Sequence, residues 1–327
     1  MNHSFDITLI FTAYQSIGPQ KYVYFTIISA LYIASVFANM FLMLVIIWES
    51  RLHQPMFIFL FNLTCIGLFG STAVWPKVLQ NLLSDTQTSS YEGCLCQVFI
   101  VSVYATGTYS ILTVMAYDRY VSIINPLRYH TIMTPQKVKQ LLAVSNLVPI
   151  FSVSGQVCLT SRVPLCRRSI HKFYCENISV SKLSCVTNSL YRASSLYGVC
   201  VFVLSVVFIA FFVLLSYIRI ITVSLKASAD SQKKAISTCA PHLIVFINFS
   251  MSSLFSIIYN QFVFVSEDMH MFLSFSLISA LLHPVIYGIK TKDIRECIFK
   301  YLRRGVVSTG DSKFNNDHNP SKQLTSG

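Results

Sequence analysis

The chain has 327 residues, of which 54% are hydrophobic and only 12% charged, with 25 Phe and 17 Tyr. That composition excludes a soluble globular protein and marks an integral membrane protein that sits in a lipid bilayer. The formal net charge of +12 does not indicate a nucleic-acid binder, because the basic residues fall between apolar runs and form no single patch.

The opening stretch, Met1 to Tyr22, has no basic region leading directly into an apolar core and a small-residue cleavage site. No cleaved signal peptide is expected, and the first apolar run serves as signal anchor. Runs of spanning length follow at 23–48, 56–83, 94–124, 139–161, 194–222, 234–264 and 270–289, each near or above the ~20 residues a spanning helix needs. The fold class is therefore an all-α membrane protein, a bundle of seven transmembrane helices. Asn146, Pro149, Ser152 and Ser154 dilute the fourth run, but a neighbouring helix can satisfy the backbone group that Pro149 frees. With the N-terminus outside, 17 of the 25 Lys and Arg residues fall on the cytoplasmic side, as positive residues prefer. The expected layout is an extracellular N-terminus (1–22), a membrane domain (23–289), an amphipathic helix on the inner membrane surface (290–304) and a disordered cytoplasmic tail (305–327). Ile294, Cys297, Ile298, Tyr301 and Leu302 form the apolar stripe of that surface helix. Cys297 reads equally as an acylation site or as an unmodified thiol.

The third run carries the strongest local signal. Cys94 and Asp118 are 24 residues apart, roughly 36 Å along a helix at about 1.5 Å per residue, slightly more than the ~30 Å hydrocarbon core. Cys94 therefore lies at one membrane face and the Asp118-Arg119 pair at the other. A charge inside a membrane helix costs about 2.5–3.5 kcal/mol at the centre, so a charge pair at its edge points to function. The outer loop at 162–192 contains Cys166, Cys175 and Cys185, near Cys94 and Cys96. Disulfides are permitted in this exported loop, and the sequence leaves Cys94 and Cys96 as competing partners. No His or Cys spacing suits a metal site. Of the four Asn-x-Ser/Thr sequons, Asn62 and Asn248 fall inside spans, Asn2 is the expected glycan acceptor, and Asn177 is a second candidate crowded by Cys175.

From about Asn39 to Arg295 the chain resembles the odorant receptor family of rhodopsin-like G-protein-coupled receptors. The matching stretches are QPMFIFLFNLT at Gln54–Thr64, GCLCQ at Gly93–Gln97, MAYDRYVSIINPLRYHTIM at Met115–Met133, Ser216-Tyr217, KAISTCAPHL at Lys234–Leu243 and HPVIYGIKTKDIR at His283–Arg295. The resemblance implies a receptor without cofactor or catalytic group. It binds a small, mostly uncharged odorant within the bundle and activates a heterotrimeric G protein of the stimulatory olfactory type, which raises cyclic AMP. It further implies that Asp118 restrains Arg119 at rest, and that Tyr120, Tyr217 and Tyr287 belong to the same cytoplasmic switch. The family's pairing pattern gives Cys94–Cys175 and Cys166–Cys185, which leaves Cys96 free. Three positions depart from the family's wider pattern: Gly67 replaces a buried Asp, His283 an Asn and Ser250 an aromatic residue. The first two remove the oxygen ligands of the usual sodium site.

Helical spacing along the outer halves of the spans selects the expected ligand contacts. They are Val101, Ser102, Ala105, Thr106 and Tyr109 on the third, Phe202 and Ser205 on the fifth, Ser250, Ser253, Leu254 and Ile257 on the sixth, and Ser276 on the seventh. Serine and threonine are also ordinary packing residues in membrane bundles. The main alternative is a rhodopsin-like receptor for another kind of small ligand. Amine receptors carry an acidic residue on the third helix where this chain reads Ile100 to Val103. A transporter is disfavoured by the lack of a sequence repeat, and an enzyme by the lack of paired carboxylates or a nucleophile-base arrangement in the spans.

Overall fold

In lipid a backbone amide has no water to turn to, so each apolar run closes its own hydrogen bonds as a helix. The computed structural model describes residues 7–186, 188–226, 228–262 and 278–300, with side chains for all of these except 231, 234, 235, 256–262 and 278–280. The helices are α1 (Lys21–Trp48), α2 (Pro55–Leu83), α3 (Tyr91–Ile124), a short α4 (Tyr129–Ile132), α5 (Pro135–Ser161), α6 (Asn177–Ser181), α7 (Ser189–Phe202), α8 (Ile209–Ser224), α9 (Ala229–Phe262) and α10 (Ile278–Lys290), followed by α11 at 292–300. A π-helical segment, Val203–Phe208, joins α7 to α8 in one continuous fifth span. Among the described residues six helical segments are long and apolar enough to cross a bilayer. Helix α10 is the described part of the seventh expected run.

Several helices begin before their apolar runs do, and the reason is capping. The side-chain oxygens of Ser90, Thr134 and Asn188 accept from the backbone N–H groups of Gly93, Lys137 and Tyr191. Each cap satisfies one of the donors that a helix start leaves unpaired and draws a polar first turn into the helix. The diluted fourth run is a single helix with Pro149 inside it.

Two apolar cores fill the bundle. The inner one gathers Leu60, Leu112, Met115, Tyr217, Val245, Tyr287 and Ile294. The outer one gathers Leu9, Phe11, Trp75, Cys94, Phe173, Cys175 and Leu183. Leu9 and Phe11 come from a stretch that the sequence marks only as an extracellular N-terminus. Strand β1 (Thr8–Phe11) lies between β2 (Thr88–Ser90) and β3 (Ser169–Ile170), antiparallel to the first with Leu9 opposite Ser89, and parallel to the second with Phe11 opposite Ile170. Its alternate residues Leu9 and Phe11 point down and are buried, the period-2 pattern of a half-covered strand. Tyr14 follows, and its hydroxyl donates to the Phe173 carbonyl at 2.7 Å.

Behind the last described span, α11 is clasped to the turn after α1. Lys300 pairs with Glu49 at 3.0 Å, and Arg51 approaches Asp293 and Glu296 at 3.8 and 3.7 Å. Ile294 and Cys297 of its apolar stripe are buried against the inner core. Tyr301, Leu302 and the tail at 305–327 lie outside the described residues.

Close helix approach depends on small residues, as membrane bundles generally require. A Cβ built on Gly70 of α2 falls 2.4 Å from the ring of Tyr104 on α3. That is far inside van der Waals contact, and the ring is wedged against Phe249 at a 5.8 Å centroid distance. Gly70→Ala is therefore expected to destabilise the bundle by about 1–3 kcal/mol, the usual cost of overpacking, and to lower surface display several-fold on antibody staining of intact cells. Wild-type display of that variant, with unchanged thermal stability in detergent, contradicts the α2–α3 packing given above.

Candidate functional site

Polar groups meet at both ends of α3. At the inner end Asp118 is fully buried and Arg119 is largely buried. The Arg119 guanidinium donates to Asp118 Oδ2 through Nε at 3.0 Å and through Nη2. The second carboxylate oxygen accepts from the Tyr129 hydroxyl at 2.7 Å. A buried carboxylate is tolerable only when its oxygens are satisfied, and here one arginine and one phenol do so. Burial first, and then the charge of Asp118, push the Tyr129 phenol up from its ordinary value, so it keeps its proton and remains a donor. Sequence reasoning singled out Asp118 and Arg119 and missed Tyr129, although it lies in the same quoted motif. Its position in α4, beyond the end of α3, brings it back beneath Asp118.

Tyr217 is bonded to a different partner. Its hydroxyl hydrogen-bonds Nδ1 of His242, whose Nε2 lies 2.9 Å from the Leu112 carbonyl. A carbonyl only accepts, so Nε2 carries the hydrogen, and in the neutral ring Nδ1 accepts from Tyr217. One buried chain of hydrogen bonds thus ties α8, α9 and α3 together. His242 was another omission from the expected switch. Tyr120 is partly buried against the inner core, and Tyr287 is fully buried. The Tyr287 hydroxyl has no hydrogen-bond partner among the described residues. Nearby, His283 is buried with Nε2 likewise unpartnered, and Gly67 faces open space where a side chain would stand.

At the outer end Cys94 is joined to Cys175 with Cα atoms 5.4 Å apart, and Cys166 to Cys185; Cys96 is an exposed free thiol. Gln97 reinforces the first bridge. Its amide N–H donates to the Ala73 carbonyl and its oxygen accepts from Cys175 N–H, each at 2.7 Å, so one side chain ties α2, α3 and the loop together.

Below this loop lies a cavity of about 490 Å³ between α3, α5, α6, α7 and α9. Six expected ligand contacts line it: Ser102, Ala105, Thr106, Tyr109, Phe202 and Ser253. Others do not. Leu254 is 48% exposed and points away from the bundle, because it is the next residue round the helix from Ser253 and the bundle takes only one of the two faces. Val101, Ser205 and Ser250 also lie outside this cavity's lining; Ser250 is turned into the bundle, with its hydroxyl buried on the Tyr109 side. The side chain of Ile257, and Ser276 and Asn2 altogether, lie outside the described residues.

The expected list missed the α5 and loop side of the cavity: Val153, Gln156, Asn177, Ser181, Lys182 and Tyr191. There the Gln156 amide N–H donates to the Ser194 carbonyl at 3.3 Å, and Thr160 donates to Asn177 Oδ1 at 2.8 Å. Asn177 is thereby turned toward the cavity. No signal in the sequence ties Gln156 or Asn177 to Ser102, since these contacts depend on where the loop folds back.

The chain matches the olfactory receptor family model over residues 28–304. It is 31% identical to olfactory receptor 6K3 of Homo sapiens over 302 residues, which covers 91% of this chain and 90% of that one. It is 33% identical to olfactory receptor 5M5 of Mus musculus over 306 residues, with 92% and 94% covered. A match of this extent takes in the spans, the outer loop and the inner charge pair alike, and this chain belongs to the olfactory receptor family, the odorant receptors built on a seven-helix membrane bundle.

Proposed function

We propose that an odorant seated in the 490 Å³ cavity releases Arg119 at the opposite end of the same helix and so admits a heterotrimeric G protein of the stimulatory olfactory type, raising cyclic AMP. The observation that carries this reading is that α3 alone contributes both to the cavity wall, through Ser102, Ala105, Thr106 and Tyr109, and to the buried Asp118–Arg119 pair. A shift of this one helix is felt at both sites. In the released state Arg119, Tyr120, Tyr217 and Tyr287 line the opening for the G protein, with Tyr217 freed from His242. The receptor works at the plasma membrane with its N-terminus outside and its C-terminus in the cytoplasm.

The test is a cyclic-AMP reporter in cells displaying the receptor, challenged with volatile compounds. Ala105→Phe and Ser253→Phe fill the cavity and are expected to raise the half-maximal agonist concentration about tenfold or more, a loss of about 1.4 kcal/mol or more in binding. Leu254→Phe, on the outer face, is expected to leave it unchanged. The reverse ranking overturns the cavity as agonist site. At the inner end, Tyr129→Phe removes a hydrogen bond worth about 0.5–1.5 kcal/mol from the resting state alone. Agonist-free cyclic AMP is expected to rise about two- to tenfold at matched surface display, as that energy implies. An unchanged basal level means that Tyr129 does not hold the resting state.

A further inference from the structure

The outer loop runs against the tendency that keeps Lys and Arg in the cytoplasm. Its segment 162–192 holds six basic residues, Arg162, Arg167, Arg168, Lys172, Lys182 and Arg192, against a single acidic one, Glu176. Three of the arginines stand close in the chain: Arg162 ends α5, and Arg167 and Arg168 lead into β3, at most about 18 Å further on. All three are exposed, and none pairs with a carboxylate among the described residues. Their backbone is fixed. Arg167 N–H donates to the Leu183 carbonyl at 3.1 Å, the Arg168 carbonyl accepts from Ile10 N–H at 2.8 Å, and Cys166 is bridged to Cys185. The exposed acids Asp85 and Glu92 flank β2 on the opposite edge of the sheet, two strand spacings or about 10 Å away, beyond the ~8 Å screening length of physiological salt. Glu267 and Asp268 lie outside the described residues.

One exposed ion pair adds little to binding, so a small anion gains little from any of these arginines. A partner that presents many anionic groups on one chain sums the contacts, and the fixed backbone lowers the ordering cost of making them. Each guanidinium can offer two parallel N–H groups to a sulfate or carboxylate. A folded protein partner needs an apolar anchor as well, and the stretch from Ser161 to Phe173 exposes no large apolar side chain: Val163, Ile170 and Phe173 are buried, and Leu165 is half-buried. The surface therefore suits a chain that is charged along its length and has no apolar face to cover. Resting on the orientation proposed above, which puts this loop outside the cell, we infer that Arg162, Arg167 and Arg168 form a docking site for a sulfated glycosaminoglycan, a class of polyanion that basic runs bind outside the cell. None of the three arginines lines the ligand cavity, so this site is separate from the one proposed for the odorant.

The test uses the full chain on intact cells, so that only the outer face meets the probe, with the cells' own glycosaminoglycans removed enzymatically. Fluorescent heparin is the probe, and an epitope tag at the N-terminus reports both surface display and orientation. Saturable heparin binding above that of receptor-free cells is expected. Replacing all three arginines together, Arg162→Gln with Arg167→Gln and Arg168→Gln, is expected to weaken it about tenfold or more at matched display, the product of three exposed charge contacts of ordinary strength, whereas the matching Arg→Lys replacements keep most of it. Ser169→Asp sets a carboxylate beside the arginines while leaving them in place, and is expected to weaken binding several-fold; it carries the test if the triple variant is not displayed. No binding above receptor-free cells, affinity that ignores these substitutions, or equal binding of desulfated heparin, of polysialic acid or of phosphatidylserine vesicles each overturn the assignment. Tag staining only after permeabilisation refutes the orientation and the site with it, whereas staining of intact cells that bind no heparin refutes the site alone.

Discussion

Arg119→Ala is expected to abolish agonist-driven cyclic AMP, leaving about a tenth or less of the wild-type response, because loss of more than about 1.4 kcal/mol of coupling removes at least that much. On the proposed reading, the guanidinium, once free of Asp118, is the charged group at this end of α3 that meets the bound G protein. Removing it has a second consequence. Asp118 has no exposed surface, and breaking a buried ion pair at one partner costs about 3–5 kcal/mol because the other charge is stranded. Part of any loss in Arg119→Ala is therefore a loss of folded receptor. The double variant Asp118→Asn with Arg119→Ala separates the two effects, since an amide in place of the carboxylate can still accept from Tyr129. Surface display is expected to recover in the double variant while signalling stays absent. Recovery of both means that Arg119 is a structural residue and not part of the coupling face.

Cys94→Ser and Cys175→Ser are expected to fail alike, with surface display lost and the protein retained inside the cell. A native disulfide contributes about 2–5 kcal/mol, and this one is buried in the outer core with Trp75 and Phe173 around it. The bond from Cys175 N–H to Gln97 depends on it as well. Cys96→Ser, at an exposed thiol, is expected to display normally. Non-reducing peptide mapping that links Cys96 to Cys175 reverses the pairing, and normal display of Cys94→Ser removes the bridge from the fold's requirements.

Apolar run length made the helices legible, because a bilayer sets one length and one hydrogen-bonding rule for every span. The inner charge pair was legible for the same reason: Asp118 and Arg119 are costly where they stand. Tyr129 and His242 were not, since neither is unusual in its own stretch of sequence and each acquires its role only from a partner brought near by the fold, Asp118 in one case and Leu112 with Tyr217 in the other. The cavity was half legible. Helical spacing on α3 selected Ser102, Ala105, Thr106 and Tyr109, which line the cavity, together with Val101, which does not, and the same counting on α9 took in both Ser253 and Leu254, of which one faces inward. Periodicity gives the angle between residues on a helix and not the direction that faces the bundle. The loop contacts of Asn177 and Lys182 follow from α6, a helix of five residues that no periodicity could announce.

The central place of β1 in the outer sheet sets an order on synthesis. Thr8–Phe11 is made before either of its neighbours: Thr88–Ser90 emerges about eighty residues later and Ser169–Ile170 about eighty after that, and contacts this distant in sequence form late because long loops must close first. Until Ser169–Ile170 follows the fourth span, Leu9 and Phe11 lack part of their cover and β1 lacks one of its two partners, a form prone to wrong association. Closure of this face is thus a late step of folding, and the strand at the centre of the sheet is the one that waits longest for both of its neighbours.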